Sequence, residues 1–435
     1  MFLKRIFTNA LLLPMSEEDS PVFQGAMGIE GDRITYMGPV PPAEQLETYD
    51  EVIDFNGKAI LPGFINTHCH AAMSLLRGYA DDLPLKKWLE EEMWPLEARF
   101  TQRQVHAGTS LSVLEMIKSG TTCFLDMYDH MDTVGEVVTE AGIRACLCRG
   151  VIGFGSDELR EHKFKEAVQF ATEWHGQANG RITTMLSPHA PYTCSPEYIR
   201  QFVEKAAELN LPLHTHMSET AAEVQQNVDD YGVRPVEHLR RLGFFDLPSL
   251  VAHAVHLTDE EIDILFEYDV KIAHNPGSNL KLGSGVAPIP KMIQKGIRPS
   301  LATDGAASNN NLDLLEEIHL AALIHKGVNE DPEAVPAQTA LRMGTIYGAE
   351  SLFLEGQIGT LETGKKADFI TIDLTGPHMQ PLHDVISHIV YSASRSDVID
   401  VYIDGKPIMR NRECLTLDEE KIRYEAIQAF QAIAK

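Results

Sequence analysis

The sequence predicts an α/β protein, a (β/α)8 TIM barrel with a small β-sandwich domain that is built from both chain termini. The first observation is a long middle region, about residues 57–355, in which apolar runs alternate with amphipathic stretches. The second is the pattern of the two ends, residues 1–56 and 356–435, where short β-rich runs are separated by turn residues. We therefore expect one barrel over 57–355 and one composite β domain from the two ends.

Eight apolar runs in the middle region have the length of buried β-strands. They are Ala59–Asn66, Thr121–Asp126, Ile143–Arg149, Ile182–Ser187, Leu211–Thr215, Ser249–Ala252, Val270–Ala273 and Arg298–Thr303. Helical patterns lie between them, for example over Thr101–Lys118, Pro196–Glu208 and Leu312–Lys326. Eight strands separated by helices over roughly 300 residues match the size of a (β/α)8 barrel.

Composition and charge exclude several classes of function. The 435-residue chain has a net charge of −26, whereas nucleic acid and anionic membranes attract basic surfaces, so neither is expected as a partner. The sequence has no run of about 18 apolar residues, so no membrane span is expected. The six cysteines form no CxxC pair and are expected to be reduced thiols in a cytoplasmic protein.

Polar and titratable side chains lie at the ends of most predicted barrel strands. In barrels of this type the C-terminal ends of the strands form one rim, where the chemistry takes place. Chance could place one or two such residues there, but six strands carry them. The residues are His68, His70, Arg149, His189, His216, His253 and Asp304. We therefore expect them to meet in one pocket.

Two HxH pairs indicate a metal site. His68 and His70 are two residues apart, and alternate side chains of a β-strand share a face, so both imidazoles can approach one ion. An isolated pair of this kind is more readily explained by solvated or core histidines without a metal. A second pair, His214 and His216, ends another predicted strand and strengthens the metal interpretation.

Two carboxylates accompany the histidines. Asp304 directly follows an apolar strand and, alone, would be interpreted as a turn-initiating residue. At the same rim as three histidines it becomes the natural fourth ligand. Glu219 lies three residues after His216, where it can reach the same pocket.

With these residues the sequence resembles the amidohydrolase superfamily and, within it, the 5′-methylthioadenosine/S-adenosylhomocysteine deaminases. The resemblance extends over essentially the whole chain. The matching segments are PGFINTHCH (62–70), MWPLEARF (93–100), SGTTCFLDM (119–127), SPHAPYTCSPE (187–197), HTHMSET (214–220), AHAVHL (252–257), AHNPGSNLKLGSG (273–285) and ATDGAASNNNLD (302–313). The deaminase subfamily is indicated by fewer residues, chiefly WPLE and Arg149.

The resemblance implies that His68, His70, His216 and Asp304 hold one divalent metal ion per subunit. Three nitrogens and one carboxylate suit Zn2+ best, although iron(II) or manganese would also accept them. The middle region has no evident strand-end lysine that could become a carboxylated bridging ligand, so a binuclear site is less expected.

The resemblance also implies hydrolytic deamination of a small-molecule nucleoside. A metal-activated water would attack C6 of the adenine ring. Glu219 would protonate N1, while His253 and Asp304 would accept the water proton and pass it to the leaving ammonia.

The substrate contacts implied by the resemblance are Glu97, His189, Arg149, Glu219 and Asp304. Glu97 would accept a ribose hydroxyl, and His189 would contact the sugar or the base. Arg149 would pair with a homocysteine carboxylate, or alternatively form an internal ion pair. Arg160 could share that task, although Arg149 alone is expected to perform it. Trp88, Met93 and Trp94 could form an apolar wall for a thioether, and His214, His256 and His274 are expected to orient or pack the site.

Two alternatives to this deaminase are considered. One is a sister hydrolase of the same superfamily acting on guanine, adenosine or a triazine ring. The other is a non-catalytic scaffold on the same fold, which would require a broken metal set. The sequence leaves open the native metal and the preferred 5′ substituent. A homo-oligomer is expected by analogy with the family.

Overall fold

The computed structural model describes residues 3–17 and 20–434, so the parts of the predicted composite domain at residues 1–2, 18–19 and 435 lie outside the described residues. The strands form three hydrogen-bonded sheets. In chain order they are β1 (Lys4–Leu12), β2 (Phe23–Glu30), β3 (Arg33–Gly38), β4 (Glu51–Asp54), β5 (Lys58–Pro62), β6 (Phe64–Cys69), β7 (Thr121–Tyr128), β8 (Arg144–Val151), β9 (Ile182–Thr184), β10 (Ser187–Pro188), β11 (Leu213–Met217), β12 (Ser249–His253), β13 (Lys271–His274), β14 (Ser300–Leu301), β15 (Phe369–Asp373), β16 (Val398–Ile403), β17 (Lys406–Arg410) and β18 (Glu413–Cys414).

Helices fill most of the connections between the barrel strands and also follow the last of them. The longer ones are Gln102–Lys118, Met131–Ala141, Asp157–Trp174, Pro196–Leu209, Ala221–Tyr231, Pro235–Arg241, Asp259–Glu267, Ile289–Lys295, Leu314–Asn329, Ala337–Met343, Val385–Tyr391 and Glu419–Ile433. Several begin at a capping residue, as where the hydroxyl of Ser195 accepts the Tyr198 N–H. No helix of the described residues has the length and apolarity of a membrane span.

The predicted barrel is confirmed. Strands β6 to β10 form one parallel sheet and β11 to β14 another. A parallel bridge between Leu186 and Leu213 joins the two sheets on one side. On the other side the Asp304 N–H donates to the His68 carbonyl at 3.0 Å, which connects the end of β14 to β6. The barrel strands β6 to β14 are nine, but β9 and β10 both pair with β8 and together occupy one strand position. The closed sheet therefore has eight strand positions.

The barrel interior is packed with small and medium apolar side chains. Alternate residues of β7 and β8, including Cys123, Cys146 and Cys148, belong to one buried cluster with Leu250 and Ala252. All six cysteines are free thiols, and these three fill space as small hydrophobic residues. The packed interior leaves room for chemistry only at the rim, as is usual in this fold.

The predicted strand Ala59–Asn66 is wrong in its bounds. It is divided at Gly63: β5 pairs with β1 and β15 of the terminal sheet, while β6 begins the barrel. A Cβ at Gly63 would lie only 2.1 Å from the Thr122 side chain, so the chain can cross between the two sheets here because this residue is glycine. Lys58–Pro62 therefore lies in the terminal sheet, and not in the barrel region predicted to begin at residue 57.

Strands from both ends form one nine-stranded sheet, in the order β18-β17-β16-β15-β5-β1-β2-β3 with β4 paired to β1. A bridge between Arg33 and Lys366 brings β3 back to the segment before β15. The folded sheet encloses its own apolar core, which includes Phe7, Phe369 and Tyr402. The carboxy-terminal region also contributes a helix, Glu419–Ile433, whose Ile433 carbonyl accepts a hydrogen bond from Arg99 in the barrel region.

A buried ion-pair cluster joins the barrel to the terminal sheet. Arg144 opens β8 and is 2% exposed. Its guanidinium donates to Asp368 at 2.8 Å and to Asp404 at 2.6 Å. Removing one member of such a group leaves the others buried without their partner, which is costly.

Replacing Arg144 with Met should therefore lower the free energy of unfolding by about 3–5 kcal/mol, because Asp368 and Asp404 would lose their guanidinium partner. Urea unfolding followed by circular dichroism measures this change. The control is Lys291→Met, which removes a pair with Asp259 whose side chains are 61% and 74% exposed, and it should change stability by less than about 1 kcal/mol. Equal losses in the two variants would contradict this role of Arg144.

Candidate metal centre and active site

The predicted rim forms a cavity of about 510 Å³. Most of the side chains singled out from the sequence border it: His70, Glu97, Arg149, His189, His216, Glu219, His253 and Asp304. His68 lies behind them and has no exposed surface. The barrel therefore brings together residues that are far apart in the chain.

The donor atoms of four predicted ligands converge at the base of this cavity. Asp304 Oδ1 lies 3.5 Å from His68 Nε2 and 3.3 Å from His70 Nε2. The Nε2 atoms of His70 and His216 are 3.4 Å apart. Donors placed tetrahedrally around zinc, with bonds of 2.0–2.1 Å, lie about 3.3 Å from one another. The spacing therefore fits a single ion between the four side chains.

Backbone carbonyls fix the orientation of two of the imidazoles. The Nδ1–H of His70 donates to the Met127 carbonyl at 2.6 Å, and that of His216 donates to the His189 carbonyl at 2.7 Å. With the proton held on Nδ1, the Nε2 lone pair of each ring points to the convergence point. Such outer hydrogen bonds are typical of metal-binding histidines.

His68 is oriented by a second imidazole. The Nδ1–H of His214 donates to the Leu250 carbonyl at 2.9 Å, so its Nε2 can accept the Nδ1–H of His68, also at 2.9 Å. His68 Nε2 is buried and has no hydrogen-bond partner among the described residues. Burial lowers the pKa of His68 to about 4, which keeps the ring neutral. A buried lone pair that points between three other donors fits a metal ion.

Asp304 is held by the loops after β13 and β14. Its Oδ2 accepts the hydroxyls of Ser278 at 2.6 Å and Ser308 at 2.8 Å, and its Oδ1 accepts the Gly305 N–H at 2.8 Å. Asp304 also has a positive φ of 61°, as does His253 with 75°. Left-handed backbone at a residue other than glycine costs about 1–3 kcal/mol and is concentrated at functional sites.

Glu219 and His253 form a second pair beside the convergence point. Glu219 Oε2 lies 3.7 Å from His253 Nε2, and the Nδ1–H of His253 donates to Asn279 at 2.9 Å. Burial raises the pKa of Glu219, an effect that the charge of His253 partly opposes. Burial also works against the charged form of His253, but the carboxylates of Glu219 and Asp304 outweigh it and raise its pKa. This pair can exchange protons with a group bound in the pocket.

Glu97 and His189 lie on other walls of the cavity. Glu97 ends the short helix Trp94–Glu97 in the connection between β6 and β7, and its Oε1 accepts the Tyr128 hydroxyl at 2.5 Å. Burial raises the pKa of Glu97. The Nδ1 atom of His189 is 3.0 Å from the Thr193 hydroxyl, and burial lowers the His189 pKa to about 3.

The cations near the pocket differ from the sequence-based expectation. Arg149 borders the cavity, but its guanidinium pairs with Asp129 at 3.1 Å and Glu166 at 2.9 Å, which is the internal ion pair considered as its alternative role. Arg160 does not border the cavity. It donates to the Gly155 carbonyl at 2.9 Å and pairs with a neighbouring aspartate of its own helix.

Lys163 also lines the cavity, although it was not among the residues predicted from the sequence. Its Nζ donates to the Ile152 carbonyl at 3.3 Å and has no salt bridge to a carboxylate among the described residues. Burial, followed by the charge of Arg149, lowers the pKa of Lys163. Lys163 lies inside the charged helix Asp157–Trp174, where nothing in the sequence distinguishes it from its solvated neighbours.

One wall of the cavity is apolar. It includes Leu85, Trp88, Leu89, Trp94 and Phe100. For Met93, which could belong to this wall or to the core, the structure shows the core: it is fully buried and does not border the cavity. Outside the wall, His256 contacts the Ser284 carbonyl and His274 contacts His325, so both have packing or orienting contacts.

Comparison with solved structures supports the fold. A crystal structure of an adenosine deaminase from Xanthomonas campestris with bound zinc has a TM-score of 0.93 and 34% sequence identity, covering 99% of each chain. The zinc complex of an atrazine chlorohydrolase from Arthrobacter aurescens has a TM-score of 0.90 and 24% identity, covering 98% of this chain and 100% of that one. At that identity the second likeness shows the fold alone.

The sequence comparisons identify the family. A relative from Halalkalibacterium halodurans, named 5-methylthioadenosine/S-adenosylhomocysteine deaminase, is 51% identical over 398 residues, which cover 91% of this chain and 90% of that protein. The model of the amidohydrolase family matches residues 59–408, from β5 of the terminal sheet through the whole barrel to β17. The chain therefore belongs to the amidohydrolase family.

Proposed function

We propose that this protein is a metal-dependent aminohydrolase that deaminates the adenine ring of 5′-methylthioadenosine and S-adenosylhomocysteine to the inosine analogues and ammonia. The observation that carries the chemistry is the set of donors 3.3–3.5 Å apart beside the Glu219–His253 pair. The substrate class is supported by the relative that bears this name and is 51% identical over 91% of the chain.

We assign His68, His70, His216 and Asp304 to one divalent ion per subunit, most readily Zn2+. When bound, such an ion lowers the pKa of a coordinated water to near neutrality and so supplies a nucleophile for ring carbon C6. The three imidazoles direct Nε2 to the convergence point, and an unprotonated ring nitrogen is the form that binds metals. The nitrogen-rich donor set with one carboxylate suits zinc.

Glu219 acts as general acid towards N1 of the adenine ring, because a carboxyl with a raised pKa holds its proton until the ring accumulates charge. His253 and Asp304 accept a proton from the attacking water and pass it to the amino group of C6. The C6–N bond then breaks and ammonia leaves. One water is consumed: its oxygen remains on C6 as a carbonyl, one of its protons leaves with ammonia, and the other returns to the Glu219 carboxylate that gave its proton to N1.

Glu97 accepts a ribose hydroxyl, since its carboxylate lies in the pocket wall and only its Oε1, bound by Tyr128, has a hydrogen bond among the described residues. His189, whose ring lies 4.6 Å from that of His216, contacts the sugar or the base. The apolar wall around Trp88 and Leu89 receives the thioether of the 5′ substituent.

Arg149 and Lys163 recognise the carboxylate of the homocysteine moiety. Arg149 already faces two carboxylates, so its charge is largely balanced within the protein. Lys163, in contrast, forms no salt bridge with a carboxylate among the described residues. The side chains of Arg149 and Lys163 both border the cavity. An anionic group on the substrate would pair with this lysine.

The proposal includes a homo-oligomer in the cytoplasm. The six free cysteines are consistent with a reducing compartment. The oligomer is expected from the family alone, and sedimentation analysis of the purified protein would test it.

A substrate panel tests the proposed function. Ammonia release would be followed with the purified, metal-loaded protein on 5′-methylthioadenosine, S-adenosylhomocysteine, adenosine, guanine, cytosine and a chlorotriazine. We expect the two thioether nucleosides to give the highest kcat/KM. A preference for guanine or the triazine would favour a sister hydrolase. No turnover of any compound would favour the scaffold alternative, which the complete donor set disfavours.

Replacing His68 with Ala should lower the bound metal to well below one ion per chain, measured by atomic emission after dialysis. Replacing His214 with Ala should weaken metal affinity by roughly 10–100-fold, because His68 would lose the partner that orients its ring. His325→Ala is the matched control, since His325 is equally buried and also contacts an imidazole, but one outside the ligand set. An unchanged metal content in His68→Ala would contradict the ligand assignment.

Glu219→Gln should keep its metal and lose at least about 100-fold in kcat, because an amide cannot deliver the proton to N1. Metal content and steady-state rates on 5′-methylthioadenosine would be measured on the same preparation. Near-normal turnover with full metal occupancy would exclude Glu219 as the general acid.

Lys163→Met and Arg149→Met should each lower kcat/KM for S-adenosylhomocysteine about 10-fold or more relative to 5′-methylthioadenosine, since a charge-assisted hydrogen bond contributes about 1.5–3 kcal/mol. Only the former substrate carries the carboxylate. Arg160→Met, which alters a cation away from the cavity, should leave the ratio unchanged. Equal losses on both substrates would show that neither residue recognises the carboxylate.

A further inference from the structure

Glu223 is a buried carboxylate next to the active site that has no assigned part in the chemistry. It lies in the first turn of the helix Ala221–Tyr231 and is 6% exposed. Its Oε1 accepts the Ser218 N–H at 2.8 Å, and its Oε2 accepts the Glu219 N–H at 2.7 Å. One side chain therefore holds two consecutive backbone amides, one of which belongs to the proposed general acid.

The contacts of Glu223 differ from those of an ordinary helix cap. Glu261 occupies the same position in another helix, three residues after a capping threonine, and its carboxylate accepts the N–H of that threonine, Thr258, at 2.9 Å. Glu223 also lies three residues after a capping threonine, Thr220, whose hydroxyl accepts the Glu223 N–H. Its carboxylate, however, reaches past the cap to the two residues before it. Glu223 therefore binds the strand-end loop instead of closing a capping box.

The loop that Glu223 holds has an unfavourable backbone conformation. Ser218 has a φ of 53°, in the left-handed region that residues other than glycine rarely adopt. The Ser218 carbonyl accepts the N–H groups of Val255 at 3.1 Å and His256 at 3.0 Å. The peptide groups around Ser218 are thus bound on both sides, and the resulting turn directs Glu219 into the cavity.

The carboxyl of Glu219 has few contacts of its own. Within the described residues its single hydrogen bond is from the Ser284 hydroxyl, at a long 3.3 Å, and His253 Nε2 is 3.7 Å away. Side-chain contacts alone would therefore allow the carboxyl to move. Its position depends on the backbone at Ser218 and Glu219, and that backbone depends on Glu223.

We propose that Glu223 is a positioning residue: by accepting the Ser218 and Glu219 N–H groups, its carboxylate fixes the backbone that places the Glu219 carboxyl in the cavity. The inference rests on the proposed function, because it explains how the general acid of that reaction is held. A displacement of about 1 Å in a reacting group can reduce the rate by about 100-fold, so a clamp of this kind affects kcat more than substrate binding.

The test compares Glu223→Gln with Glu261→Gln, a matched pair of buried carboxylates at the same helical position. Glutamine keeps the volume but offers one acceptor oxygen, and its NH2 group would face the second N–H. Hydrogen exchange of the peptide that contains the Ser218 and Glu219 amides is measured by mass spectrometry on the metal-loaded enzyme. Metal content, kcat and KM for 5′-methylthioadenosine are measured on the same samples.

In Glu223→Gln we expect the backbone amides of this peptide to exchange hydrogen faster than in wild type. The variant should keep its metal and lose roughly tenfold in kcat, with KM within about twofold of wild type. Glu261→Gln should match wild type in all of these measurements. Unchanged exchange and kcat in Glu223→Gln would overturn the proposal, as would an equal loss of kcat in Glu261→Gln. If the wild-type enzyme did not deaminate the substrate, the proposed function would fail, whereas the exchange of the two amides would still decide whether Glu223 clamps them.

Discussion

The backbone hydrogen bond from the Asp304 N–H to the His68 carbonyl is the contact on which the site depends. It joins the last barrel strand to the first and closes the sheet. The same two residues carry proposed metal ligands, and Asp304 Oδ1 lies 3.5 Å from His68 Nε2. Closure of the barrel and assembly of the donor set are therefore one structural event. A sheet left open between β14 and β6 would separate Asp304 from the histidines.

Around that seam, hydrogen bonds within the protein orient the donors. His70 and His216 each donate Nδ1–H to a carbonyl, and His68 is oriented through His214. Neutral rings with fixed lone pairs require little rearrangement on binding. The left-handed backbone of His253 and Asp304 shows that the strand ends are held in place against local preference. That strain is tolerated because a closed, densely packed barrel supports the rim.

The sequence was sufficient to predict the barrel and the residues at its rim, because parallel strands expose their C-terminal ends together and the polar residues there stand out against apolar runs. It misplaced the start of the barrel, because a single apolar run crosses Gly63 and only the neighbouring Thr122 reveals the break. The sequence also left open whether Met93 joins the pocket wall or the core, and in the structure it lies in the core. Residue type and spacing do not determine which way a side chain in an irregular connection points.

Lys163 and Glu223 could not have been singled out from the sequence for a related reason. Both lie on helices where charged residues are normal, and their proposed roles depend on where the folded chain places them: Lys163 at the cavity, and Glu223 against two amides four and five residues earlier. Lys163 matters because Arg149 is already paired with Asp129, and Glu223 matters because it reaches beyond its own helix. Such relationships depend on tertiary packing, which hydrophobic periodicity does not encode.

The central claim is that one ion is bound by three imidazole nitrogens and one carboxylate at the rim of the barrel. X-ray absorption spectroscopy of the purified, metal-loaded protein measures this shell directly. The account predicts nitrogen and oxygen scatterers at about 2.0–2.2 Å, with the outer-shell pattern of three imidazoles and no sulfur. Cys69 lies between two of the ligands in sequence, but its Sγ is directed to Asp126. A sulfur scatterer near 2.3 Å, or a shell without imidazole, would contradict the account.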